Sequence, residues 1–315
     1  MVIACGAYSS VVAQSETKEV AIDFEAWVGD REFVCGESYE GIGTSEATVT
    51  PTDFRFYVSD VALIDEDGNA IPLELEQDGK WQYQNVALLD FEDGTNGCDN
   101  GTAEINTTVV GTVPEGDYQS LQFTMGVPED LNHEDAAIAP SPLNLSSMWW
   151  NWQGGYKFLR IDLETDEAIA NSQMNHSNTD RANEQPSIFE SEENDPQDTH
   201  NGSNVGQDTA EHNSNAYLIH IGSTGCGDSA QSNLFNCANP NRVDVTLEDF
   251  NPENNVVIAD LAELLAQSDL TTNEANTGAG CMSSPEDSDC MPILQNLSLS
   301  SSDMADSEQY FFFVE

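Results

Sequence analysis

The residues of this chain with the clearest chemical potential are five histidines, seven cysteines and a cluster of indoles. His133 stands in "VPEDLNHED", just past a predicted strand, and His220 stands within one, in "AYLIHIGSTGC". Imidazoles from distant parts of a chain are common ligands of copper and zinc once a fold brings them together. Otherwise an imidazole on a strand face is a packed or solvated side chain. His176, His200 and His212 lie in a strongly polar stretch, where they read as solvated or as ligands of a further metal. The segment "SSMWWNWQGGYKFLR" carries Trp149, Trp150 and Trp152, three of the five tryptophans. If 148–153 is extended, Met148, Trp150 and Trp152 share one face and Trp149 takes the other. Trp150 and Trp152 would then stand about 6.6 Å apart along the strand. Indoles at this density fill a core or line a binding surface.

Other chemistries fare less well. In "DEDGNAIPLELE", Asp65, Asp67, Asn69 and Glu76 fall at positions 1, 3, 5 and 12 of a calcium-loop pattern. The glycine is at position 4 instead of 6, and strands flank the loop, so the stretch reads as an ordinary Asp-Gly-Asn turn. No nucleophile elbow, zinc-protease pair, phosphate loop or dinucleotide fingerprint stands in its proper context. Carboxylate pairs select nothing in a chain with 57 acidic and 8 basic residues. The net charge of −49 repels nucleic acid and anionic lipid and favours solubility.

The cysteines point to export. Val2-Ile3-Ala4-Cys5 has the form of a lipoprotein processing site with Cys5 as the lipidated residue, preceded by too few residues for a full signal. Six cysteines then remain, none in a CxxC pair. Cys226 with Cys237 and Cys281 with Cys290 enclose short loops, which leaves Cys35 for Cys98. The sequence alone permits other pairings. Three disulfides belong in an oxidising compartment.

These residues must be positioned by strands. "VAIDFEAWV", "DFRFYVSDVALID", "KWQYQNVALLDF", "YKFLRIDLE", "AYLIHIG" and "RVDVTLEDF" alternate with period two, and Pro114-Glu115-Gly116-Asp117 makes a turn between two more strands. The pattern predicts an all-β, antiparallel sandwich. One helix is expected, in "IADLAELLAQSDL", with Leu261, Leu264 and Leu265 as its packing stripe. Residues 1–19 read as a truncated lipoprotein signal and tether, 20–297 as the sandwich, and 298–315 as a tail whose aromatic end either pairs or frays. Residues 164–215 are too poor in large apolar side chains to form a core and read as a long acidic, mobile insertion.

Several segments together carry a resemblance. "FVCGESYEGIGTSEATVTPTDFRFYVSDVALID", "GVPEDLNHED", "APSPLNLSSMWWNWQGGYKFLRIDL", "HIGSTGC", "VVIADLAELLAQSDL" and "GCMSSPEDSDC" are similar, in this order, to the MbnP family, periplasmic copper-binding proteins also called metallo-mystery pair four-Cys proteins. The resemblance spans about residues 20–295 apart from the acidic insertion. It implies a β-sandwich holding copper, Cu(I) in preference to Cu(II), for acquisition, storage or delivery. It also implies a partner, a di-haem peroxidase of the MauG/MbnH type that oxidises one tryptophan to kynurenine. On this chain the ligands would be His133 and His220, and the modified residue Trp150 or Trp152. The protein would be a substrate of a haem enzyme and not itself an enzyme, located in the periplasm or anchored to the outer membrane. An indole nitrogen only donates, whereas the aryl amine of kynurenine is a usable ligand beside two imidazoles. The alternatives are a calcium-binding or adhesive surface sandwich and a ligand-binding module with a tryptophan platform.

Overall fold

The computed structural model describes residues 16–166, 168–171, 215–228, 235–299 and 309–315. Cys5, His176, His200, His212 and most of the acidic insertion lie outside the described residues.

Two sheets face each other. In the strand Thr17–Val28 every second residue from Val20 to Val28 is buried, as the period-two pattern requires. It pairs antiparallel with Thr108–Pro114 and parallel with Val257–Asp260. The larger sheet is built on the 19-residue strand Ala47–Asp65, which pairs antiparallel with Tyr118–Met125 and Leu159–Thr165. Val243–Leu247 and Ala216–Ile221 flank these, and Gly280–Cys281 adds a parallel edge. The sandwich is therefore all-β and largely antiparallel, with parallel pairs at two places.

Aromatic side chains join the sheets. Phe24 of the smaller sheet packs edge-on against Phe56 and Phe123 of the larger, with ring centroids 6.1 and 5.7 Å apart. The aromatic end of the chain pairs: Phe312–Val314 adds to Val257–Asp260, and Phe311 and Phe312 are buried in the same core. Because "VIAD" is used as strand, the expected helix shortens to Leu261–Leu265. Asp260 ends the strand and caps the helix by accepting from the Ala262 amide at 2.8 Å. Leu261, Leu264 and Leu265 form the buried stripe. Two further short helices, Glu129–Asn132 and Cys290–Asn296, gave no clear periodicity in the sequence.

A second apolar cluster lies on the outer face of the larger sheet. There Val127, Leu131, Leu143, Met148, Tyr156 and Phe158 cover Tyr57, Val86 and Leu88. The Tyr57 and Tyr156 hydroxyls donate to the Pro142 and Leu143 carbonyls at 3.0 and 2.7 Å. The chain from 127 to 158 is thus a lid across this face, covering outward side chains of Ala47–Asp65 whose inward neighbours lie in the core between the sheets. Three disulfides, Cys35–Cys98, Cys226–Cys237 and Cys281–Cys290, pin loops and edges. Asp65 accepts from the Asp67 and Asn69 amides at 2.9 and 2.8 Å, so the calcium-like stretch is a self-satisfied turn. Among the described residues no helix is long and apolar enough to cross a membrane.

Candidate metal centre

His220 is buried, on the covered face of Ala216–Ile221. Its Nε2 donates to Asp162 Oδ1 at 2.6 Å. Burial pushes the imidazole pKa down, against the opposing pull of Asp162. Burial would raise the Asp162 carboxyl, but hydrogen bonding and the charge of Arg160 overcome this and hold it well below the usual range. Arg160 donates to Asp162 Oδ2 at 2.5 Å, which is enough to keep the carboxylate ionised beside a neutral imidazole. With the proton on Nε2, the lone pair of His220 is on Nδ1.

This pair belongs to a larger buried network. Arg160 Nε lies 3.1 Å from Asp53, and Asp53 pairs with Arg55. Arg55 Nε lies 3.4 Å from Glu92 Oε1, an oxygen that accepts no hydrogen bond. Burial lifts Glu92 to about 7 and Asp90 to about 6. Lys157 and Arg160 donate to the Ser147 carbonyl at 3.1 and 3.0 Å, and burial beside Arg160 lowers Lys157 to about 8. Three of the eight basic residues in a chain of net charge −49 are committed here. Such a concentration holds the Ser146–Met148 turn, and the tryptophans after it, onto the sheet.

The tryptophan segment is a tight hairpin, extended only over Trp149–Asn151, so the condition of an extended 148–153 run is not met. Ser146–Met148 winds as a 3-10 turn, Trp149–Asn151 pairs with Gly155–Tyr156, and the Asn151 side chain accepts from the Gln153 and Gly154 amides at 2.9 and 2.8 Å. That turn separates the indoles. Trp149 packs into the outer cluster with its Nε1 buried and without a hydrogen-bond partner. The Trp150 ring lies over Gly222, where a Cβ would meet it at 2.7 Å. Trp152, 53% exposed, is in the turn and shares no strand face with Trp150.

His133 caps the helix Glu129–Asn132 at its C-terminus, beside the hairpin. Its Nδ1 donates to the Trp152 carbonyl at 3.1 Å, which places the lone pair on Nε2. The adjacent Asn132 accepts from the Tyr156 amide at 3.0 Å and donates to Ser223 Oγ at 3.3 Å. Asn132 therefore ties the His133 corner to the hairpin and to the segment that follows His220. Ser283 holds that segment from behind, donating to the His220 carbonyl at 2.7 Å and accepting from the Gly222 amide at 2.8 Å. A cleft of about 500 Å³ opens between Trp150 and residues Ser223, Thr224 and Cys226, with Met282 in its wall.

His133 and the 220–223 segment thus meet at the same hairpin, His133 through the Trp152 carbonyl and Gly222 under Trp150. The two imidazoles are not part of one three-residue donor cluster: among the described residues, the group of three or more His, Cys, Asp or Glu whose ligand atoms all lie within 4.8 Å is His133, Cys226 and Cys237. The donor chemistry still fits a copper ion. Each imidazole has one nitrogen fixed by an acceptor, His133 Nδ1 by the Trp152 carbonyl and His220 Nε2 by Asp162, the usual support of a metal-bound histidine. Sequence reasoning missed Asp162, Arg160, Asn132 and the cysteines beside His133. The signal for the first two was available: Asp53-x-Arg55 and Arg160-x-Asp162 place opposite charges on one face of strands with no other polar residue between them.

The comparisons agree with this architecture. Comparison with curated proteins gave no match. Among solved structures, MbnP from Methylosinus trichosporium is similar at 28% identity and a TM-score of 0.73, over 95% of this chain and 98% of that one. A family model described as MbnP matches residues 17–283, which is most of the chain, and the chain belongs to the MbnP family.

Proposed function

We propose that this protein is an exported copper carrier in which His133 Nε2 and His220 Nδ1 hold Cu(I) beside a tryptophan oxidised to kynurenine. The single observation that carries the reading is the buried His220–Asp162 hydrogen bond, behind the strand segment on which Trp150 lies. A buried neutral imidazole oriented by a carboxylate is the arrangement of a metal-bound histidine. Bound copper supplies a redox-active soft centre, and the chain supplies neutral nitrogen donors and a half-dry aromatic wall.

Trp150 is the favoured modification site, because its ring covers Gly222 while the Trp152 side chain faces solvent. A di-haem peroxidase partner would supply the oxidant. Two oxygen atoms open the indole C2–C3 bond to an N-formyl ketone, and hydrolysis then releases formate. The net change is loss of one carbon and gain of one oxygen, and it frees an aryl amine. No substrate pocket is needed on this chain, only a face that lets the peroxidase approach the hairpin. Three disulfides suit a periplasmic location, and Cys5 is the proposed lipid anchor.

The test is Cu(I) titration against a chromophoric competitor, with the wild type, His133→Ala and His220→Gln. Glutamine keeps a donor for Asp162. Both variants are expected to lose at least about tenfold in affinity. Wild-type affinity in both would overturn the ligand assignment. Peptide mass mapping after co-expression with the peroxidase is expected to find the kynurenine at 150, and an unaltered 146–160 peptide would overturn the modification.

A further inference from the structure

The Cys226–Cys237 disulfide lies against His133, and nothing in the copper reading uses it. The two cysteines are directly opposite each other in the hairpin of Thr224–Asp228 and Phe235–Asn239, so both side chains leave the same face. Cys237 Sγ is 3.5 Å from His133 Nε2, across 104 residues of sequence. Tetrahedral coordination with metal–sulfur and metal–nitrogen bonds near 2.3 and 2.05 Å puts those two ligand atoms about 3.6 Å apart. The imidazole and sulfur are therefore already at ligand spacing. Only the sulfurs are too close, bonded at 2.05 Å, where a metal would hold them about 3.8 Å apart.

We infer that reduction of Cys226–Cys237 creates a metal site of two thiolates and the His133 imidazole, selective for a thiophilic closed-shell cation. The electron balance is a thiol–disulfide exchange. A dithiol reductant gives two electrons and two protons, becomes a disulfide and leaves two cysteine thiols. Binding of the cation then releases those two protons and forms two metal–sulfur bonds and one metal–nitrogen bond. Soft sulfur donors with one imidazole suit Cu(I), Zn(II) or Cd(II).

Access favours this disulfide over the others. Cys226 and Cys237 are both half-buried, whereas Cys35 is paired with the fully buried Cys98, and Cys281 and Cys290 are both fully buried. A reductant reaches the hairpin pair first. The site shares His133 with the copper reading but needs neither His220 nor a modified tryptophan, so the two ideas fail separately.

The experiment is mild reduction of the folded protein with a water-soluble phosphine, removal of the reductant without air, and titration with Cd(II). The expected result is two titratable thiols per chain beyond the Cys5 thiol that the three disulfides leave over, and one equivalent of Cd(II) bound with thiolate-to-metal charge-transfer absorption. The oxidised protein shows no such band. The double variant Cys226→Ser, Cys237→Ser shows none after the same treatment, with circular dichroism confirming that it is folded. His133→Ala keeps both thiols and weakens Cd(II) by about tenfold or more. His220→Gln leaves the Cd(II) response unchanged. Absence of thiols, thiols without the band, or a band that survives in the double variant would overturn the proposal.

Discussion

Replacing Asp162 with asparagine separates the support of His220 from its surroundings. Asp162 holds two cations or donors at once: Arg160 at 2.5 Å and the His220 Nε2 at 2.6 Å. Asparagine is nearly isosteric but neutral. It leaves Arg160 with Asp53 as its remaining carboxylate, and breaking one member of a buried ion pair costs about 3–5 kcal/mol. It also weakens the constraint that keeps the His220 proton on Nε2, because a side-chain amide can donate as well as accept. Loss of such support costs a metal-bound histidine about 10–100-fold in affinity. The control is Asp53→Asn. Asp53 pairs with Arg55 and with Arg160 Nε at 3.1 Å but does not bond to His220. Both variants should therefore unfold at lower urea concentration, and only Asp162→Asn should also lose Cu(I) in the competitor titration. If the folded Asp162→Asn protein binds copper like the wild type, or if Asp53→Asn loses copper equally, the orienting role of Asp162 is refuted.

Other outcomes follow from the same geometry. Gly222→Ala places a methyl group 2.7 Å from the Trp150 ring and 2.5 Å from the Tyr156 carbonyl; it should cost about 1–3 kcal/mol of stability and shift the tryptophan emission, and an unchanged spectrum would show that the indole is elsewhere. Glu92, raised to about 7 by burial, binds a proton in the folded state that the unfolded chain has released. Its ionisation therefore destabilises the fold as pH rises from the unfolded value through 7. Glu92→Gln removes that loss and should gain on the wild type by roughly 2 kcal/mol between pH 5 and pH 8 in urea melts. A difference independent of pH would contradict the assignment. His220 acts in the same folds with the opposite sign, since its lowered pKa costs stability as pH falls below about 6.5. Phe312→Ala removes a ring 5.1 Å from Phe123 and 5.4 Å from Phe56, and should cost about 3–5 kcal/mol in equilibrium unfolding; a loss below 1 kcal/mol would mean that the C-terminal strand is not part of the core.

The strands were legible because their alternation is strict where one face meets the core, as in Thr17–Val28. The Ala47–Asp65 strand was legible as a strand, but its second buried face was not. Asp53 and Arg55 look like solvent-facing residues until the 127–158 lid is placed over them. The tryptophan hairpin is not legible from period two, which says nothing about Asn151, whose side chain closes the turn by capturing two backbone amides. The helix near 260 was overextended because β-branched Val256, Val257 and Ile258 precede it and the apolar spacing alone does not mark where strand gives way to helix. Loop length favours two of the disulfide pairs, Cys226–Cys237 and Cys281–Cys290, and leaves Cys35 for Cys98. The contact of Cys237 with His133 has no such signal, since only tertiary packing brings residues 104 apart to 3.5 Å.

Convergence of His133 and His220 on copper at the tryptophan hairpin would be visible in anomalous diffraction at the copper edge, on crystals of the copper-loaded protein co-expressed with the peroxidase. One peak is expected within about 2.1 Å of His133 Nε2 and His220 Nδ1, next to residue 150. A peak lying away from the hairpin, or one bound by only one of the two imidazoles, would contradict that convergence.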